Sequence, residues 1–125
     1  MAIAQVERLA HDVSDRLPAR LEATALMRQV QSAGGFATII KRGDADSGAL
    51  ILLIAERGLP KALIERRIGS DFDYRWTMVA TADNANPEKF RESTDKLARF
   101  DPDCWLIELD VADAERFIAE TIALP

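Results

Sequence analysis

The spacing of apolar residues along the chain predicts helices and strands in the order α-α-β-β-β-β-α-β-α. The most apolar run, Ala49 to Ala55, has no polar interruption, which is typical of a strand whose two faces are both covered. We therefore place this run at the centre of a sheet. The other predicted strands are less uniformly apolar, and they span residues 36–42, 61–68, 73–81 and 104–109.

Helix boundaries follow from proline, glycine and capping residues. Pro18 fits the first turn of a helix, and Gly34 supplies its stop because glycine tolerates the left-handed residue that ends helices. Asn86 followed by Pro87 is a strong helix start, with an N-cap before a proline in the first turn. Asp110 is placed to cap a last helix.

These elements predict an α+β fold. Four consecutive strands with short turns between them favour a four-stranded antiparallel meander. A fifth strand follows a helical crossover, which makes one strand pair parallel, and the helices are expected to pack mainly on one face. Residues 1–16 form a leader with a short apolar stripe, interpreted as a frayed helix, and residues 17–125 form a single domain.

Composition narrows the functional classes. The chain has 125 residues, of which 21 are acidic and 16 are basic, so its net charge of −5 disfavours nucleic-acid binding. The single cysteine allows no intramolecular disulfide, and this favours a cytoplasmic setting. No apolar run reaches the length of a membrane span and no signal peptide is recognised, so no membrane association is expected.

Two Asp-x-Asp pairs are the candidate polar site, which comprises Asp44, Asp46, Ser47, Asp101, Asp103 and Glu108. If the two pairs met, their carboxylates could hold a hard cation such as Mg²⁺ or Ca²⁺. The other interpretation is that these residues shape turns by bonding nearby backbone amides. Gly43 and Gly48 have the spacing of a phosphate loop, but the Lys-Ser/Thr and the following helix are both missing.

No complete catalytic constellation is present. His11 and Cys104 are the only residues of their types, so a histidine-based triad and a His/Cys zinc site are excluded. Neighbouring aspartates would raise the pKa of the Cys104 thiol, which favours a structural role. Glu65 and Glu108 lie in predicted strands, where solvent-facing positions explain them as simply as a general base does. We assign no catalytic residue, no metal and no cofactor.

Basic residues in the predicted meander offer a second candidate surface. Arg42, Arg66 and Arg75 are the candidate anion-binding residues, because the guanidinium group suits nucleotides and acidic peptides. Acidic residues are interleaved with them along the same strands, and a solvated sheet face with cross-strand ion pairs explains the pattern equally.

Three segments resemble a known family: Ala33 to Ala37, Arg42 to Ala49, and Arg99 to Leu109. It is a family of small bacterial proteins, seen mainly in alphaproteobacteria and known only as a domain of unknown function. The resemblance covers about Leu17 to Ile118 and implies no catalytic residue. The family's recurring residues match Gly43, Asp44, Asp46, Gly48, Asp101, Pro102, Asp103, Trp105 and Glu108, which we treat as a candidate surface.

Two functional hypotheses follow. The first is a small protein-binding or adaptor module, or a self-associating domain, whose sheet edge or helix face docks a protein partner or a second copy. The alternative is a divalent-cation-dependent small-ligand binder or enzyme that uses both Asp-x-Asp turns. Whether those turns lie side by side separates the two hypotheses.

Overall fold

A computed structural model describes residues 17–68, 74–83 and 85–123. The predicted leader lies outside these residues, and so does the turn predicted at 69–71. The helices are α1 (Ala19–Ser32), α2 (Pro87–Arg99) and α3 (Ala114–Ile122), and the strands are β1 (Phe36–Lys41), β2 (Leu50–Glu56), β3 (Leu59–Ile68), β4 (Tyr74–Thr81) and β5 (Trp105–Asp110).

Local capping chemistry sets the start of two helices. Helix α2 begins as predicted, because the side chain of Asn86 accepts a hydrogen bond from the Lys89 backbone N–H at 3.0 Å. Helix α3 begins later than predicted, because its N-cap is Asp113, which accepts from the Arg116 N–H, and not Asp110. The Asp110 carboxylate instead accepts backbone hydrogen bonds from the turn between β2 and β3.

The strands form one mixed sheet in the order β1-β5-β2-β3-β4, which confirms the α+β class. The antiparallel meander contains β2, β3 and β4 only. Strand β5 lies between β1 and β2, antiparallel to β1 and parallel to β2, so the predicted pairing of β1 with β2 is wrong.

Burial of β5 on both faces accounts for this difference. Trp105, Leu106 and Ile107 are all buried, as an internal strand requires. The connection between β1 and β2, residues 42–49, is longer than a tight hairpin turn, and it passes the beginning of β5. Loop length and burial together therefore allow β5 to enter the sheet beside β2.

Helices cover both faces, with more of them on one face, as predicted. The two-helix face packs beneath α1 and α3 and contains Ala19, Ala23, Leu26, Val30, Leu50, Leu52, Ile54, Ile64, Trp76, Trp105, Ile107, Leu109, Ala114 and Phe117. The one-helix face packs beneath α2 and contains Ala49, Ile51, Leu53, Leu63, Ala98, Cys104 and Leu106. Strand β2 contributes to both clusters, which confirms its predicted central position.

Candidate functional site

The two Asp-x-Asp turns lie side by side at one end of the sheet. The Asp44 backbone N–H donates to the Asp103 carbonyl oxygen at 2.8 Å. The Trp105 indole N–H donates to the Asp44 carbonyl oxygen at 2.8 Å, and the Trp105 backbone N–H donates to the Ala49 carbonyl oxygen at 2.8 Å. We call residues 42–48 together with 101–104 the double turn.

Two glycines make this close approach feasible. A Cβ atom on Gly43 would lie 2.2 Å from the Asp103 carbonyl oxygen, and one on Gly48 would lie 2.1 Å from the same atom. Both distances are far inside van der Waals contact, so any side chain would push the turns apart. The spacing of these glycines therefore serves backbone packing and not the binding of a phosphate.

The start of α1 is also attached to the double turn. The backbone N–H groups of Ala19 and Arg20 donate to the carbonyl oxygens of Asp46 and Ala45, at 3.1 and 2.9 Å. These bonds satisfy amide groups that the first turn of a helix leaves without intrahelical partners. The double turn thus joins the first helix, the end of β1 and the beginning of β5.

The carboxylates of the double turn bond mainly to their own turns. Asp44 accepts from the backbone N–H groups of Asp46 and Ser47 and from the Ser47 hydroxyl, at 2.9 to 3.1 Å. These bonds hold the pKa of Asp44 below its usual value, with the Ser47 backbone N–H as the largest cause. Asp101 accepts from the Asp103 N–H at 3.0 Å and from the Arg67 guanidinium at 3.2 Å.

Backbone hydrogen bonds, and not a cluster of carboxylates around a shared point, therefore join the two turns. Within residues 17–68, 74–83 and 85–123, no group of three or more His, Cys, Asp or Glu side chains is arranged to hold a metal ion. The turns are adjacent, as the cation hypothesis requires, but the Asp44 carboxylate bonds within its own loop, and the Asp101 carboxylate is shared between its own loop and Arg67 of β3.

Lys41 is a structural contributor that the sequence reasoning missed. Its ammonium group donates to the carbonyl oxygens of Asp101 and Cys104, each at 2.8 Å, and lies 3.6 Å from the Cys104 sulfur. The side chain is partly buried and crosses from the end of β1 to the second turn. In the sequence, Lys41 looks like an ordinary exposed strand end, and only its place before Arg42-Gly43 hints at this contact.

Cys104 is buried beneath α2. Its thiol donates to the Ala98 carbonyl oxygen at 3.4 Å. Burial is the largest cause that raises the pKa of this thiol, Asp101 adds to the effect, and the Lys41 ammonium opposes it. A neutral, enclosed thiol is a poor nucleophile, which agrees with a structural role.

Glu108 belongs to a different contact. It forms a two-pronged ion pair with Arg91 of α2: one guanidinium nitrogen bonds Oε1, and the other lies 3.2 Å from Oε2. The second nitrogen also donates to the Gly58 carbonyl oxygen at 2.8 Å. The bond to Glu108 is the main cause that raises the pKa of Arg91. The Glu108–Arg91 pair therefore fastens α2 to β5, and Arg91 also fastens α2 to the β2–β3 turn; Glu108 is engaged in this pair and is not a free base.

The three candidate arginines do not form one cluster. Arg42 lies over the Trp105 ring, with its guanidinium carbon 5.8 Å from the ring centroid. Arg66 is buried on the two-helix face, with its Nε 4.0 Å from a Glu22 carboxylate oxygen and its guanidinium carbon 5.5 Å from the Trp76 ring centroid. Arg75 is exposed and lies on the opposite face of the sheet, because neighbouring strand residues alternate between faces.

The outer edge of the sheet at β1 is a surface that the sequence reasoning described only in part. Phe36 is 72% exposed and Ile40 is 41% exposed, and Thr38 is also exposed between them. Ala37 and Ile39 point the other way and pack against the two-helix face. Strand β1 pairs with β5 on one side, and among residues 17–68, 74–83 and 85–123 no strand pairs with its other side. We call that side, along Phe36–Lys41, the β1 edge.

These features define a small α+β domain built around a joined pair of polar turns and an open sheet edge. Residues 17–119 match the family model described as a protein of unknown function, DUF1491, and the chain belongs to that family. This confirms the resemblance found in the sequence. The family description assigns no catalytic activity.

Two solved structures share the fold. The chain is similar to a crystal structure of a DUF1491 family protein from Caulobacter crescentus CB15, with 27% identity, a TM-score of 0.64, and coverage of 81% of this chain and 94% of that one. It is also similar to the solution structure of protein Atu0922 from A. tumefaciens, with 26% identity, a TM-score of 0.61, and coverage of 78% and 88%. Both sources are alphaproteobacteria.

No curated protein shows significant similarity to the chain. No helix in the described part of the chain is both long enough and apolar enough to cross a membrane.

Proposed function

We propose that this protein is a small protein-binding module and that the β1 edge is its docking surface. The observation that carries the proposal is the exposure of Phe36 and Ile40 on a strand whose outer side pairs with no other described strand. Edge strands present unpaired N–H and C=O groups, and proteins usually cover or charge them to prevent unwanted pairing. An extended segment can add to such an edge through main-chain hydrogen bonds, while its side chains supply specificity.

Contacts of β1 with the rest of the domain already hold this strand in an extended form, so a partner could dock on it without a large rearrangement. The Ala37 and Ile39 side chains are anchored against the two-helix face, and Lys41 is fastened to the double turn by two hydrogen bonds. A strand already held in extended form loses little conformational freedom when it binds, and this raises affinity for a given contact area.

The cation-dependent alternative lacks a comparable observation. The carboxylates of Asp44 and Asp101 already accept two or more hydrogen bonds each. We also propose a cytoplasmic setting, which a single buried thiol with no disulfide partner supports.

Site-specific photocrosslinking tests the docking surface. A photoreactive amino acid replaces Thr38 on β1 or, as the matched control, Thr77, which is exposed on the opposite edge strand β4. In the native host we expect a discrete crosslinked species from position 38 and none from position 77. The species from position 38 should disappear when Phe36→Lys is also present. Equal crosslinking from both positions, or none from position 38, would contradict the proposal.

A further inference from the structure

We infer that the partner of the β1 edge is the β1 strand of a second copy, paired antiparallel about a two-fold axis at Thr38. The inference rests on the proposed function and names its partner. A two-fold axis between edge strands requires each strand to match itself when it is read in the opposite direction.

The sequence of β1 meets that requirement. With Thr38 opposite Thr38, Phe36 faces Ile40 of the other copy, and Ala37 faces Ile39. Directly opposite residues of an antiparallel pair share a face, so the exposed pair Phe36 and Ile40 meets on one face and the anchored pair meets on the other. Every cross-strand pair formed by residues 36–40 is thus either apolar or a pair of threonines, both favourable in sheets.

Other registers fit less well. A shift by one residue would place exposed side chains opposite anchored ones, because side chains alternate with a period of two. A shift by two residues would remove Phe36 from Ile40 and shorten the overlap. The pairing of β1 with β5 is regular from Phe36 to Ile39, and its one irregularity falls at Ile40, at the end of the proposed overlap and away from the axis at Thr38.

No acidic residue of β1 opposes self-association along the β1 edge. The chain has a net charge of −5, so two copies repel over most approaches, but residues 33–42 include no acid. The nearest acids on β5 are engaged, since Glu108 pairs with Arg91 and Asp110 accepts N–H groups from the β2–β3 turn. The antiparallel arrangement also places the two copies of Lys41 at opposite ends of the seam, where they do not repel each other.

The resulting dimer would have one continuous sheet across both copies, with the contact confined to a short strand pair. Interfaces of this size lie at the weak, reversible end of protein association. We therefore expect a dimer whose population rises with concentration over the micromolar range.

Charge reversal at the axis tests the register. Sedimentation equilibrium is measured for the natural chain, for Thr38→Lys, for Thr38→Glu and for an equimolar mixture of the two variants. Because Thr38 is exposed, neither substitution places a charge in the core; Thr38 lies opposite Glu108 on β5, so urea unfolding of each variant checks that the Glu108–Arg91 pair is kept. Each variant places like charges face to face and should weaken its own dimer about tenfold or more, whereas the mixture places opposite charges face to face and should restore the dimer.

Disulfide trapping provides an independent check. Thr38→Cys should form a disulfide-linked dimer under mild oxidation, because opposite residues on antiparallel strands lie within disulfide reach. Ala37→Cys should not, since its opposite residue is Ile39. The natural Cys104 is buried and serves as an internal control for reactivity. Preferential trapping through Ala37→Cys would overturn the inferred register.

Three outcomes of these experiments would overturn the inference: a natural chain that stays monomeric at all concentrations, a dimer that neither Thr38 variant weakens, or a position-38 crosslink to residues 1–16 of the same chain. A monomeric chain that still crosslinks from position 38 to a different protein would remove the second copy as partner and leave the proposed docking surface standing. A monomeric chain with no crosslink would remove both proposals.

Discussion

The two edges of the sheet are held in different ways. Strand β4 has a side-chain anchor on each face: Trp76 is buried in the two-helix cluster, and the partly buried Ala80 packs against the one-helix cluster, whereas Thr77, Met78 and Val79 are exposed. By the residues that the structure describes, strand β1 is covered on one face only, where Ala37 packs toward α1, and on its opposite face Phe36 is exposed.

This difference separates two ways of keeping an edge strand in place. Side chains anchor β4, so its position depends on apolar burial. Strand β1 depends more on its end, where Lys41, Gly43 and Gly48 meet the second turn. An edge that needs no cover on one face can be stable and still available to another strand.

The largest effect is expected from removing the side-chain anchor of β4. Trp76→Ala should lower the free energy of unfolding by about 3–5 kcal/mol, because a fully enclosed ring is lost from the core. The matched change on β1, Phe36→Ala, should cost less than about 0.5 kcal/mol at low protein concentration, since that ring is mostly exposed. Urea denaturation measures both values. Similar costs for the two variants would contradict the comparison.

The second largest loss of stability is expected at the double turn, which holds the end of β1. Gly48→Ala should destabilise the chain by about 3 kcal/mol or more, because the new Cβ would overlap a backbone oxygen that cannot move independently. Gly34→Ala is the control: its Cβ meets nothing within 4 Å, so only the positive φ of 90° adds a cost, about 1–2 kcal/mol. Thermal or urea unfolding distinguishes the two, and equal losses would show that the close approach at Gly48 is unimportant.

A smaller effect is expected from the lysine that crosses between the turns. Lys41→Met keeps most of the apolar stem but leaves the Asp101 and Cys104 carbonyl oxygens without this donor, at a cost of about 1–3 kcal/mol. Lys89→Met, at an exposed position on α2, removes the same charge and should change stability by less than about 0.5 kcal/mol. If both variants unfold at the same urea concentration, the Lys41 contact does not stabilise β1.

The smallest effect is a dependence on pH at the first turn. The pKa of Asp44 is lower in the folded chain than in the unfolded one, so its ionised form adds stability above about pH 4, and that stability is lost as the pH falls through the folded value. The difference in unfolding free energy between the natural chain and Asp44→Asn should therefore shrink as the pH is lowered from 6 to 2. Asp46→Asn, in the same turn, corrects for the loss of one negative charge. A difference that stays constant with pH would contradict this role.

Much of the fold is readable from local patterns. The uninterrupted run in β2 indicated a central strand, and Asn86 before Pro87 located the start of α2. The place of β5 in the strand order could not be predicted from the sequence. Pairing between strands distant in sequence depends on which faces remain uncovered once the helices have packed. Periodicity along a single segment does not report that information.

The sequence singles out the residues of the double turn, but it does not show what they contact. The spacing of Gly43 and Gly48 is visible in the sequence, but the reason for both glycines is not. The carbonyl oxygen of residue 103, which is distant in sequence, lies where their Cβ atoms would be. Lys41 and Arg42 look equivalent in sequence, although one donates into the double turn and the other lies over Trp105. Side-chain direction at the end of a strand depends on tertiary neighbours, so neither role could be assigned in advance.

The insertion of β5 between β1 and β2 also constrains the order in which the chain can fold. Strands β2, β3 and β4 are neighbours in sequence and can pair as soon as they are made, whereas β1 has no partner in the sheet until residues 105–110 have been synthesised. Closing so long a loop is slow relative to hairpin formation. At about 5–20 residues per second, β1 waits several seconds during synthesis with both of its backbone edges unpaired.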